Sequence, residues 1–368
     1  MKIVYLALGL WLLPGMLWAQ SAEKENEFTM SMQIRPRAEY RNGAQFPRFE
    51  GDKAAAFINN RARLSMEYKR SDLSMKSFRQ HVGVGQDPQI DTNGRFIMNE
   101  AWAKLDFGAG FFAQLGRQTL SYDDERILGG LDWNVAGRYH DALKLGYAKN
   151  AHQLHFILAF NQNKEKSKGG TYYYDGAQPY KNMQTLWYHY AAQASNLDVS
   201  LLFMNLGLET GDAETETSRT RYLQTFGTYV TYQPESGNWL PVQAAFYYQT
   251  GKNKNAQSVS AFMASVKAAY AIDKQWSVSL GYDYLSGSDG EGDKFKAFDP
   301  LYGTHHKFYG AMDYFYASAW QGVAPGLQDA QLGVNFKTSK QVSMQLNYHY
   351  FATAAKLDDV KKRDWVRR

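Results

Sequence analysis

Arg35 and Arg37, then Arg61 and Arg63, occur as pairs two residues apart in segments that alternate apolar and polar side chains. That spacing puts both members of a pair on one face of an extended strand. Lys104, Arg138, Lys144 and Lys267 fall at polar positions of later alternating segments. Fixed positive charge around a water-filled passage replaces part of an anion's hydration and selects for anions. Guanidinium also meets carboxylate through two parallel hydrogen bonds, which suits uronate sugars. A purely structural reading competes with this one. Glu39, Glu67, Glu100, Asp106 and Asp283 also sit at polar positions, and ion pairs on one face would leave little net field.

Other chemistry has less behind it. Asp289, Glu291 and Asp293 alternate with glycines, but not at the spacing of a standard calcium loop, so a solvated acidic loop is expected. His305-His306 lacks a third ligand. With no cysteine in the chain there is no thiolate metal site and no disulfide. Neither a Gly-x-Ser-x-Gly elbow nor a metalloprotease His-Glu-x-x-His motif occurs. No cofactor, resident metal or enzymatic activity is expected. A hydrolase with its site on the wall of the fold is the one enzymatic alternative.

The elements that must carry the cations are strands. Phe28, Met30, Met32, Ile34, Pro36, Ala38 and Tyr40 alternate with Thr29, Ser31, Gln33, Arg35, Arg37 and Glu39. Fifteen such segments are expected, at residues 28–41, 57–69, 73–82, 96–107, 111–120, 138–149, 153–161, 184–194, 197–208, 221–233, 240–250, 258–272, 276–285, 327–337 and 342–351. Segments 73–82 and 221–233 do not settle their faces, and a bulge would flip either. The intervening turns alternate in length. Short ones fall at 70–72, 108–110, 150–151, 195–196, 273–274 and 338–340, with a slightly longer one at 234–238, and long ones begin near 42, 83, 121, 162, 209 and 286. Outer-membrane barrels have short periplasmic turns and longer outer loops. The fold class expected is therefore all-β, a transmembrane antiparallel β-barrel of the bacterial outer membrane with its N-terminus periplasmic. The parity holds to the end if 287–326 is one long insertion; a strand at 307–316 would break it. Leu64, Met66, Val278, Leu280, Met344 and Leu346 should face lipid.

Residues 1–19 read as a secretory signal: Lys2, an apolar run from Ile3 to Trp18, and Ala19 before the cut. Mature protein should start near Gln20, with 20–368 as one barrel domain. Net charge is +5 with no clustered basic run, which gives no reason to expect a nucleic-acid partner. The 26 Tyr and 9 Trp suit a membrane–water boundary. A mean hydropathy of −0.52 excludes a helical membrane protein but not a barrel, where only alternate residues touch lipid. An odd strand count cannot close in lipid, where unpaired backbone is costly. The last strand or strands are therefore expected beyond this sequence.

The stretch Gly116-Arg117-Gln118-Thr119-Leu120-Ser121-Tyr122-Asp123-Asp124-Glu125-Arg126-Ile127-Leu128-Gly129 is followed by Asp132-Trp133 and Arg138-Tyr139-His140-Asp141. It resembles the alginate-export porin family, as does Asp299-Pro300-Leu301-Tyr302-Gly303-Thr304-His305-His306-Lys307-Phe308-Tyr309-Gly310-Ala311-Met312-Asp313-Tyr314-Phe315. The resemblance implies about 16–18 strands in the complete protein and an Arg- and Lys-rich constriction that passes a polyanionic polysaccharide. It adds Arg117 and Arg126 to the candidate lumen cations, and it favours a loop at 122–133 that folds inward and narrows the channel. Expected partners are an anionic polysaccharide or small anionic solute, outer-membrane lipid, and periplasmic export components. A general small-solute porin is the alternative.

Overall fold

A computed structural model describes residues 26–42, 50–84, 96–163, 165, 171–173, 180–192, 195–211, 217–234, 239–290, 292–310, 324–339 and 341–356. The signal at 1–19 and Glu291 lie outside them, as do 311–316 of the alternative strand. Fifteen strands form one meandering antiparallel wall. They are β1 (Glu27–Arg41), β2 (Ala55–Lys69), β3 (Leu73–Val84), β4 (Phe96–Gly108), β5 (Phe111–Gln118), β6 (His140–Lys149), β7 (His152–Phe160), β8 (Asn182–Ala192), β9 (Leu197–Thr210), β10 (Arg219–Tyr232), β11 (Val242–Lys252), β12 (Ser258–Ala271), β13 (Trp276–Leu285), β15 (Leu327–Lys337) and β16 (Ser343–Ala352). The short β14 (Lys294–Phe295) runs parallel to β12 and lies off this path. Among the described residues no ladder joins β16 to β1.

The wall strands match the fifteen alternating segments. Up-and-down order alternates the connections between the two ends of the wall; those at one end are short except for 233–241, and those at the other are longer except for 253–257. Between β13 and β15 the described residues carry β14 and a 3-10 turn at His305–Lys307. One face carries a continuous apolar belt. Met30, Met32, Ile34, Leu115, Leu201, Leu280, Met344 and Leu346 all lie exposed on it. Exposed apolar area on this scale is what lipid covers in a barrel. Changing Leu280, 65% exposed, to Arg should destabilise the barrel by about 2–4 kcal/mol if it sits near the bilayer midplane. Urea unfolding in lipid vesicles measures this, and an unchanged midpoint would refute the facing.

Two expectations need correcting, and the bulge expected in 73–82 is found. Arg138 does not belong to a strand: Gly137 has φ 75, and the ladder to β5 begins only at His140. The ambiguous segment at 73–82 owes its mixed faces to a register shift between Phe78 and Arg79 against β4. The face opposite the lipid belt is not polar throughout. On β7 to β12 it carries Ile157, Met183, Leu202, Met204, Leu206, Leu223, Ala245, Tyr247, Val259 and Met263, all buried. These pack with Leu120, Tyr122, Ile127, Leu128, Phe298, Tyr302 and Tyr309 from two long connections. A hydrophobic core thus sits inside the barrel. Each such aliphatic side chain contributes roughly 1.5–3 kcal/mol when fully buried, which offsets the entropy of ordering the loops.

Candidate functional site

The site is built where the segment between β5 and β6 folds inward against β1 and β2. Arg35 and Arg61 are direct cross-strand partners. Like charges so placed repel unless acceptors come between them. The loop supplies the acceptors. Arg35 donates to the carbonyl oxygens of Asp132 (3.0 Å), Trp133 (3.2 Å) and Asn134 (3.2 Å). Arg37 donates to the Trp133 carbonyl at 2.9 Å and pairs with Glu39 at 2.6 Å. The buried Arg61 reaches the Asp132 carboxylate at 3.1 Å and Gln33 Oε1 at 2.8 Å. Arg63 reaches the same carboxylate at 2.9 Å and stacks over Phe78 at 4.0 Å. Gln80 adds a bond to the Ala136 carbonyl at 2.7 Å. Partial burial works against charge on Asp132, but Arg63 and Arg61 outweigh it and hold the carboxyl below its usual range.

A second inward segment, from 298 to 309, zips onto the first. Tyr302 N–H donates to the Ile127 carbonyl (3.0 Å), Gly129 N–H to the Tyr302 carbonyl (2.9 Å) and Thr304 N–H to the Glu125 carbonyl (2.8 Å). A Cβ on Gly303 would stand 2.2 Å from the Arg126 carbonyl oxygen, so only glycine permits the approach. Arg138 donates to the Gly303 carbonyl at 2.9 Å, and Trp133 stacks on His306 with centroids 4.3 Å apart. Burial pulls His305 down to about 4, and its Nε2 lies 3.2 Å from the Pro300 carbonyl.

Arg126 ties the zipped loops to the opposite wall. Its guanidinium, 7% exposed, contacts Asp124 and Asp283 at 2.8 Å each, Ser265 Oγ at 2.8 Å and Tyr309 Oη at 3.2 Å. Phe308 lies 4.0 Å beneath it. From Asp283 the network runs through Gln331 Nε2 (2.9 Å) to Asp329 (2.8 Å), and on to His349 Nδ1 (3.0 Å).

The ten candidate cations therefore divide. Arg35, Arg37, Arg61 and Arg63 meet at one loop tip, and Arg126 and Arg138 hold the zipped segments. Arg117 forks onto Asp141 at 2.8 and 2.7 Å and stacks over Tyr139 at 4.5 Å. Lys104 pairs with Asp106 at 3.1 Å. Lys144 and Lys267 make no hydrogen bond or ion pair among the described residues. Lys267 is exposed and faces a cavity of about 530 Å³ between the inward loops and the inner faces of β10 to β16. The wall side of the lining is amide and hydroxyl (Gln243, Ser265, Ser279, Gln331, Gln345 and Asn347), and the loop side brings Asp123, Asp124, Arg126, His306 and Lys307.

Asp283 was among the acids the sequence offered as partners, and it pairs with Arg126; sequence reasoning missed the wall partners Ser265 and Gln80, and the apolar inner surface. A signal for that surface exists. Leu201-Leu202-Phe203-Met204 is apolar without alternation, as a strand covered on both faces must be.

A family profile described as alginate export matches residues 27–365. The chain belongs to the alginate export family. It forms an outer-membrane β-barrel channel. The barrel is similar to OccK2 (OpdF) of Pseudomonas aeruginosa, at 10% identity and a TM-score of 0.57 over 89% of this chain and 81% of that one. It is also similar to an anion-selective porin from Comamonas acidovorans, at 12% identity and a TM-score of 0.50 over 89% and 90%. Both likenesses are of fold. No curated protein matches the chain. In this member of the alginate export family, inward segments of the long connections pack on the inner faces of the strands, and a cavity remains between them and β10 to β16.

Proposed function

We propose that this channel passes an anionic saccharide, of the uronate type, passively along the wall that carries Lys267. The carrying observation is that Lys267 stands exposed and makes no ion pair among the described residues, on a strand wall of Gln, Asn and Ser side chains that faces Asp123, Asp124, Arg126 and Lys307 of the inward loops. Amides and hydroxyls exchange hydrogen bonds with sugar hydroxyls, and a single ammonium matches a carboxylate. Low-dielectric walls focus its field. Lys144, on β6, is the other candidate cation that makes no bonded contact among the described residues, and the arginines at the loop tip shape the constriction rather than supply free charge. Family membership supports the same reading. We further propose that residues 1–19 are removed, that 20–368 form the barrel domain, and that the short turns face the periplasm. N-terminal sequencing of outer-membrane protein should then start near Gln20.

Planar-bilayer recording tests the substrate. The open channel should prefer anions in a salt gradient, and an oligouronate should block its current where a neutral oligoglucoside of equal length does not. Lys267→Gln should weaken that block several-fold. Cation preference, or equal block by both sugars, would favour a general small-solute porin instead.

A further inference from the structure

A second cavity, of about 330 Å³, lies at the long-connection end of the barrel, away from the Lys267 surface. Its floor comes from inward side chains at the ends of adjacent strands: Leu208 on β9, Leu223 on β10 and Val259 on β12. Phe295 and Leu301 roof it. The roof is fixed, because Gln249 on β11 clips Asp299 at both backbone groups: Nε2 donates to its carbonyl (2.7 Å) and Oε1 accepts its N–H (2.9 Å). Ala297, Tyr302, Asn253 and Asn255 also line it, together with two opposite charges. Lys254 has no hydrogen-bond or ion-pair partner among the described residues. Among the described residues the Asp299 carboxylate accepts the Leu301 N–H alone, at 2.9 Å, and no ion pair joins it to Lys254.

An apolar chamber with few polar groups at set places has the character of a small-molecule site. At ~30 Å³ per water its volume equals about eleven waters, enough for one compact ligand and too little for a sugar chain. Apolar walls disfavour a polyol, and a simple fatty acid would leave Asp299 facing its carboxylate. We propose that this cavity binds a zwitterion with an apolar side group, an amino acid such as leucine. Its carboxylate meets Lys254, its ammonium meets Asp299, and its side chain fills the space between Leu208, Leu223 and Val259.

Equilibrium dialysis of the full chain, refolded in detergent, against radiolabelled L-leucine tests this. One saturable site is expected. Leucinamide and isovalerate, each lacking one charge, should compete about tenfold more weakly, and glycine should not compete. Lys254→Gln and Asp299→Asn should each weaken binding about tenfold, while heat-modifiable gel mobility shows both variants folded. The assignment falls if the folded wild type shows no saturable binding. It also falls if isovalerate competes as well as leucine, or if both folded variants bind as the wild type does.

Discussion

Replacing Arg126 by Met should destabilise the folded barrel by about 3–5 kcal/mol, the range for breaking a buried ion pair from one side. Met keeps much of the volume over Phe308 but leaves Asp124 and Asp283 without their cation, and Asp283 is only 2% exposed. Loss of that anchor should also free the zipped segments from β12 and β13, so surviving channels should conduct more and with more noise. Urea titration in vesicles reads the first effect and single-channel recording the second. A paired variant separates charge from shape. Adding Asp283→Asn to Arg126→Met removes one stranded carboxylate and should restore part of the lost stability. If Arg126→Met unfolds at the wild-type midpoint, the Arg126 network is not holding the loops.

The second large effect is expected at the other end of the loop. Changing Arg61 and Arg63 together to Glu places two anions against Asp132, which now accepts from both guanidinium groups. The loop tip should be driven off the wall. Conductance should rise, and reversal potential should move towards cations because lumen charge changes by four units on two substitutions, roughly, each worth two. The shift should shrink in concentrated salt, since exposed charges are screened. Adding Asp132→Arg should bring the tip back and lower conductance again. A merely electrostatic lining would respond differently: the third change would alter selectivity without restoring conductance. An unmoved reversal potential in the double variant would refute the placement of these residues near the ion path.

The same contact fixes a pH dependence. A carboxyl whose folded pKa lies below its unfolded value contributes stability above the unfolded pKa and loses it as pH falls through the folded one. Asp132 is lowered, so its grip on Arg61 and Arg63 should persist through mildly acidic pH. It should fail only below the ordinary carboxylate range of about 4. Conductance recorded down an acid series should therefore stay flat first and rise late; a rise near neutral pH would assign the opening to another group.

The strand wall was legible in the sequence because its signal is local. Side chains alternate with a period of two wherever a strand has one apolar face, so Met30, Met32 and Ile34, or Met344 and Leu346, announce their side without knowledge of any neighbour. Turn lengths are equally local, and they ordered the strands. The inward course of 122–133 came from resemblance rather than from the pattern itself. Only tertiary structure decided what the arginines do. Arg35 and Arg61 read as polar-face cations, and whether such a cation meets solvent, a solute or a carbonyl depends on where a distant segment closes. The Arg35 contact to Asp132 spans a separation of 97 residues. Loop closure of that length leaves no periodic trace, because it is fixed by the fit of Gly303 against Arg126 and by apolar packing on Met204 and Leu206. The sequence determined that there is a barrel wall with cations on one face; the folded loops decided which of those cations, Lys144 and Lys267, are left without a bonded partner among the described residues.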